Sequence, residues 1–227
     1  MKNQILRRTL LIVLVLMLGA IGVTVSPAEA DWIIRGNYVV TWPSSDSYQT
    51  QSVIEGLPDI FTELSFDKGQ GFGLDIGYKL NPKLELFLMG IFTDIEGTFV
   101  YGIEPGEESG RVTDNNTVDW YTIDFGANYH FTPESRVDFY LGAFVGVFSY
   151  DSIKFNLTEL EREISISFDD QFSYGLNAGI DVPFTADGPL FFTASVKYML
   201  TDLKEEGGPR EIALDPIIGS LGIGFKF

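Results

Sequence analysis

Leu221-Gly222-Ile223-Gly224-Phe225-Lys226-Phe227 alternates apolar side chains with small or polar ones and stops on an aromatic. Successive residues of a strand point to opposite faces. Leu221, Ile223, Phe225 and Phe227 therefore share one face, and Gly222, Gly224 and Lys226 the other. A water-soluble sheet that finished this way would leave an adhesive edge. A closed barrel in a membrane pairs that edge with its first strand and turns the apolar face to lipid. The segment predicts an outer-membrane β-barrel, with Phe225 and Phe227 as the terminal signal read by the barrel assembly machinery.

At the other end, Lys2, Arg7 and Arg8 precede an apolar run over residues 9–25, and Ala28-Glu29-Ala30 follows as a small-x-small cleavage site. This is the layout of a secretory signal. It predicts a cleaved signal peptide over 1–30 and one barrel domain over 31–227. The apolar run is at the short end of the ~17–25 residues that span a bilayer, and no other stretch is long and apolar enough to be a spanning helix. The chain is expected to cross the membrane as strands. It has no cysteine, which removes disulfide and thiol chemistry. Its net charge of −17 argues against nucleic acid or an anionic surface as partner.

Eight alternating segments follow, at 32–40, 71–80, 83–93, 118–130, 136–150, 172–182, 190–200 and 213–227, with no convincing helix. In the second, Phe72, Leu74, Ile76, Tyr78 and Leu80 oppose Gly73, Asp75, Gly77 and Lys79; in the fourth, Tyr121, Ile123, Phe125, Ala127 and Tyr129 oppose Thr122, Asp124, Gly126 and Asn128. The fold class is all-β, an eight-stranded antiparallel transmembrane barrel. Connections at 81–82, 132–135 and 183–189 are short, whereas those near 41–68, 95–116, 151–170 and 201–212 are long. Outer-membrane barrels have short periplasmic turns and long extracellular loops, so both termini are expected in the periplasm. Most of the acidic excess lies in the long loops, where it is solvated or shares divalent cations with lipopolysaccharide phosphates. Neither reading needs a dedicated metal site.

Aromatic residues fall where two interfacial girdles would sit: Trp32, Tyr78, Tyr129, Phe139 and Phe227 at the periplasmic ends, and Tyr38, Trp42, Trp120 and Tyr121 at the outer ends. A soluble β-sandwich would gather them in one core. Eight strands close a bore narrow enough for side chains to fill, which excludes a wide pore. Read by depth, the periplasmic half of the lumen holds Lys79, Lys83, Glu85, Asn128, His130, Asp138, Asp181 and Lys226, with Asp75, Asp124, Asn177 and Lys197 nearer the middle. The outer half holds Met89, Ile91, Phe144, Phe148, Met199 and Ile218. Buried charges must pair, so Lys79, Glu85, Asp138, Asp181 and Lys226 are expected to form a polar plug. The apolar set above would form a vestibule for a small hydrophobic ligand, or would simply pack the barrel.

The sequence resembles the OmpW-like outer-membrane proteins. The resemblance is carried by Asp31-Trp32-Ile33-Ile34-Arg35-Gly36, by Phe139-Tyr140-Leu141-Gly142-Ala143-Phe144-Val145-Gly146, by Tyr198-Met199 with Asp202, and by Leu214-Asp215-Pro216. It spans most of residues 31–227. The first loop departs from the family, and Ile217 stands where the family often has Trp. The resemblance implies a narrow channel with a hydrophobic lumen that passes small apolar molecules, and no catalytic residues.

Proline cannot donate to a ladder, so Pro216 either marks the start of the last strand or opens a lateral gap through which an apolar ligand leaves for the bilayer. An enzymatic reading needs a nucleophile and a base in reach of each other. His130 is the only histidine; Ser135 lies in a turn, and no acid is obviously placed to orient the imidazole, so no catalytic residue, cofactor or metal is assigned. The expected partners are outer-membrane lipids and lipopolysaccharide, the assembly machinery and a small hydrophobic solute, with no nucleic acid. The function expected is a narrow channel or binding vestibule for small hydrophobic molecules, with lateral release into the membrane. The alternative is a non-conducting structural or adhesive barrel acting through its acidic loops.

Overall fold

The computed structural model describes residues 31–44, 48–52, 60–102, 112–133, 135–150, 153–157, 162–166, 169–185, 188–204 and 211–227. Residues 1–30, expected to be a signal peptide, and most of the acidic residues expected in the long loops lie outside these. Eight long strands build the wall: β1 (Asp31–Trp42), β2 (Ile60–Asn81), β3 (Leu84–Gly102), β4 (Val112–His130), β5 (Asp138–Tyr150), β6 (Gln171–Pro183), β7 (Leu190–Leu200) and β8 (Ile217–Lys226). Each pairs antiparallel with its neighbours in sequence. β1 closes the ring by pairing with β8 from Ile33↔Lys226 to Trp42↔Ile217. Trp32 and Phe227 exchange both backbone hydrogen bonds at 2.9 Å, so the terminal edge is paired rather than left adhesive.

Strand parity sorts the side chains into two environments. Phe72, Leu74, Phe92, Leu141, Phe172, Leu176, Val196, Leu221 and Ile223 stand exposed on the outer wall, as a lipid-facing band requires. The intervening residues fill the bore. At the end that carries the short turns and the termini, hereafter the turn end, Trp32, Tyr129, Phe139 and Phe227 are exposed, and toward the other, loop end Tyr38 and Trp42 are exposed. Both girdles have these members. Trp120 is not among them: it is 1 % exposed and belongs to the lumen. It shares parity with Thr122 and Asp124, so it cannot face lipid beside Tyr121.

Two of the expected loops are in large part strand. β2, β3 and β4 run on past the ring, since β1 pairs with β2 only as far as Thr41↔Gly69, whereas β2 and β3 remain paired out to Phe61↔Gly102. A register shift between Phe66 and Gly69 marks the place where the wall ends and the projecting sheet begins. Bulges commonly sit at barrel rims because the extra residue re-aims the strand. A further short strand, Tyr48–Ser52, pairs with the projecting part of β2. Hairpins Ile153–Leu157 with Arg162–Ile166 and Asp202–Lys204 with Glu211–Ala213 complete the loop end.

Candidate functional site

The lumen is built in two chemically distinct layers. The turn-end layer is organised around Arg35, which β1 places among its inward residues Ile33, Asn37 and Val39, and which is 2 % exposed. Its Nη1 and Nη2 donate to Oε1 and Oε2 of Glu85 at 2.7 and 2.8 Å, a fork-on-fork pair. Nη2 also reaches Asp181 Oδ2 at 3.0 Å, and Nη1 stands 3.5 Å from Asp75 Oδ1. The guanidinium lies between the rings of Phe191 and Tyr140, 5.6 and 5.8 Å from their centroids. Four strands, β1, β2, β3 and β6, thereby converge on one cation.

Glu85 extends the network sideways. Its Oε2 lies 3.0 Å from His130 Nε2, and His130 Nδ1 lies 2.7 Å from Asp138 Oδ2. Lys79 Nζ stands 3.6 Å from the same Asp138 oxygen. Asn128 donates to Glu85, and Asn177 donates to Asn128 at 2.8 Å. Space for this layer comes from bare backbone opposite it: a Cβ on Gly77 would stand 2.6 Å from Glu85 Oε1. Sequence reading found Lys79, Glu85, Asp138 and Asp181 but missed Arg35, the hub that joins three acids. Two residues expected in this half of the lumen, one of them in the plug, are elsewhere. Lys226 is at the rim, about half exposed and 2.5 Å from Asp31, and Lys83 is an exposed turn residue.

His130 is fully buried and held by two carboxylates, contrary to the expectation that no acid orients it. Both ring nitrogens are occupied by acids. The two contacts tie the imidazole into the plug, between Glu85 and Asp138.

Above this layer Lys197 Nζ donates to Asp124 Oδ2 at 2.7 Å, with Thr122 Oγ1 on the same oxygen at 3.1 Å. The ammonium also lies 4.3 Å from the Phe144 ring centroid and 3.3 Å from Met89 Sδ. This ion pair is the floor of the second layer. Val39, Phe87, Met89, Ile91, Ile95, Trp120, Phe144, Phe148, Tyr150, Met199, Leu214 and Ile218 form one apolar cluster, none more than 6 % exposed. All six residues expected in the outer half belong to it, with Met89 and Phe144 at the level of the floor. Six more were not expected, Trp120 foremost, whose ring packs at 4.4 Å from Phe148 and 6.3 Å from Tyr150.

At Pro216 the wall is continuous. Met199 N donates to Pro216 O at 3.0 Å, Ser44 N and Oγ both donate to Leu214 O, and Thr201 N donates to Asp215 Oδ1 at 3.1 Å. Asp215 adopts a left-handed φ of 35°, a conformation that Asp tolerates better than most residues, and its turn seats the proline just before β8. Of the two readings of Pro216, the start of the last strand fits, and the lateral gap is closed by bonds from Met199 on β7 and from Ser44 and Thr201 just beyond the ends of β1 and β7. Pro216→Val is expected to leave uptake of apolar solutes and assembly unchanged; slower uptake with intact assembly would return a role to this position.

Residues 11–227 match the family model described as the outer membrane protein beta-barrel domain. The chain belongs to that family. Among solved structures the barrel is similar to the outer membrane protein OprG from Pseudomonas aeruginosa, with a TM-score of 0.67 at 17% identity over 88% of this chain and 96% of that one. It is also similar to the outer membrane protein AlkL, with a TM-score of 0.55 at 20% identity over 88% and 90%. No curated protein matches by sequence. This outer-membrane barrel therefore shares its fold with the small OmpW-like barrels, and it is an integral protein of the bacterial outer membrane.

Proposed function

We propose that the barrel takes small hydrophobic molecules into the apolar half of its lumen from the loop end, which faces the cell exterior. The observation that carries this reading is the stacking of the two layers: a continuous apolar cluster toward the loop end, floored by Lys197–Asp124 and backed by the Arg35 network. A structural barrel needs only a packed bore. It has no need to gather one large apolar cluster on the loop side of its charges, with only Ile33, Tyr140 and Phe191 among the charges themselves, and a charged floor is a barrier to an apolar solute because parting buried ion pairs is costly. Met89 and Met199 supply flexible side chains that can re-pack around an entering molecule. The acids and the imidazole of the plug hold the turn end shut rather than perform catalysis. Outer-membrane lipid and lipopolysaccharide contact the apolar wall, and the assembly machinery reads Phe225 and Phe227.

The test uses a barrel in which Trp32 and Trp42 are replaced by Phe, leaving Trp120 as its one tryptophan. N-phenyl-1-naphthylamine, an uncharged apolar fluorophore that absorbs tryptophan emission, is expected to show saturable energy transfer from Trp120, competed by n-octane and weakened by Ile218→Phe, which fills the chamber without adding a second tryptophan. Transfer that never saturates, together with loop deletions that abolish function, would favour the adhesive barrel instead.

A further inference from the structure

The apolar chamber is not purely hydrocarbon. Trp120 Nε1, Thr41 Oγ1, Thr201 Oγ1 and Ser173 Oγ are buried polar atoms with no hydrogen-bond partner. Their residues are 1 %, 0 %, 4 % and 0 % exposed. All four share the parity of the lumen side chains on their strands, and each stands about ten residues from the turn end of β4, β1, β7 and β6 respectively. They therefore occupy one level of a narrow bore, the level of Phe148 and above the Lys197–Asp124 floor. Buried polar groups are paired in the great majority of cases, and an unpaired donor away from water carries a desolvation penalty. Four at one level of an otherwise greasy chamber is a pattern that packing alone does not explain, because Val or Phe would fill the same places without that penalty.

The chemistry of the set is specific. An indole N–H can only donate, so its partner must bring an acceptor. The hydroxyls can donate or accept, so they tolerate either a carbonyl or an alcohol. Among the described residues, the cations of the lumen lie below, and the nearest, Lys197, already donates to Asp124, while the charged group beside this level is the Asp215 carboxylate that accepts from Thr201 N. A carboxylate at this level would thus be stranded without a counter-charge, and an ammonium brings no acceptor for the indole N–H. Resting on the function proposed above, we infer that the preferred occupant is an apolar molecule carrying one neutral oxygen function, an alcohol, ketone or ester, whose oxygen accepts the Trp120 indole hydrogen bond. A pure alkane fits the walls but leaves the four polar atoms unpaired.

The test compares 1-octanol with n-octane at equal thermodynamic activity on the same Trp32→Phe, Trp42→Phe barrel, by NMR with labelled methionine methyls and a labelled indole nitrogen. The methyl signals of Met89 and Met199 report occupancy of the chamber, and the Trp120 indole proton reports the hydrogen bond. The expected result is occupancy by both, about tenfold tighter for the alcohol, with the indole proton moving downfield for the alcohol alone. Trp120→Phe should keep octane binding and erase most of the preference. Equal occupancy by both probes with an unmoved indole proton would overturn this inference while leaving the hydrophobic chamber intact. Methyl signals that respond to neither probe would overturn both.

Discussion

Replacing Arg35 with Met is expected to destabilise the folded barrel by about 3–5 kcal/mol, the range for removing one partner from a buried ion pair. The substitution keeps much of the side chain's length and its packing between Tyr140 and Phe191. What it removes is the one cation that faces Glu85, Asp181 and Asp75 together. Three carboxylates would then confront one another across the bore with His130, Lys79 and, toward Asp75, Lys197 as the remaining cationic groups, and Lys79 already leans on Asp138 and Lys197 on Asp124. Arg35→Lys should fall between the two, because an ammonium restores the charge but cannot grip both Glu85 oxygens in a fork. Urea unfolding in detergent micelles, followed by tryptophan emission and by the mobility shift of folded barrels on unheated gels, reads both changes. Near-native stability of the Met variant would mean that the three acids are not held by Arg35.

That Arg35 escaped sequence reading has a physical reason. On β1 both faces are largely apolar, Ile33 and Val39 inward against Ile34, Tyr38 and Val40 outward, so alternation alone does not say which way the strand faces. The girdle residues Trp32, Tyr38 and Trp42 share one parity, and from them the inward direction of Arg35 could have been fixed. The same ambiguity hid Phe87, which lies among Leu84, Leu86 and Leu88. Where the strands alternate cleanly, as at Phe72–Leu80 and Tyr121–Tyr129, wall and lumen were both legible. Trp120 was misplaced because an aromatic near a strand's outer end was read by depth rather than by face. The projecting parts of β2, β3 and β4 read as loops in the sequence for a further reason. Beyond the bilayer, water on either side of a sheet removes the pattern that lipid enforces within it. The orphaned polar atoms were beyond reach of sequence reading, since an unpaired hydroxyl is defined only by what surrounds it.

Lys197→Met is expected to cost about 3–5 kcal/mol on the same assay, because it leaves Asp124 buried with Thr122 as its remaining side-chain donor. The informative variant is the double one, Lys197→Met with Asp124→Leu. Replacing a buried ion pair by apolar residues of similar volume is often neutral or stabilising, so the double variant should regain most of the loss. It would also change what the floor does. Met89 and Phe144 already touch Lys197, so removing both charges merges the apolar cluster with the space above Arg35 and deepens the chamber by one layer. Binding of longer-chain apolar probes should then improve relative to short ones, while the turn end stays closed by the Arg35 network and the barrel remains silent in planar bilayers. A double variant that folds well yet shows no shift toward longer probes would place the boundary of the binding region above the ion pair. One that conducts would show that Lys197–Asp124, rather than the Arg35 layer, is what seals the bore.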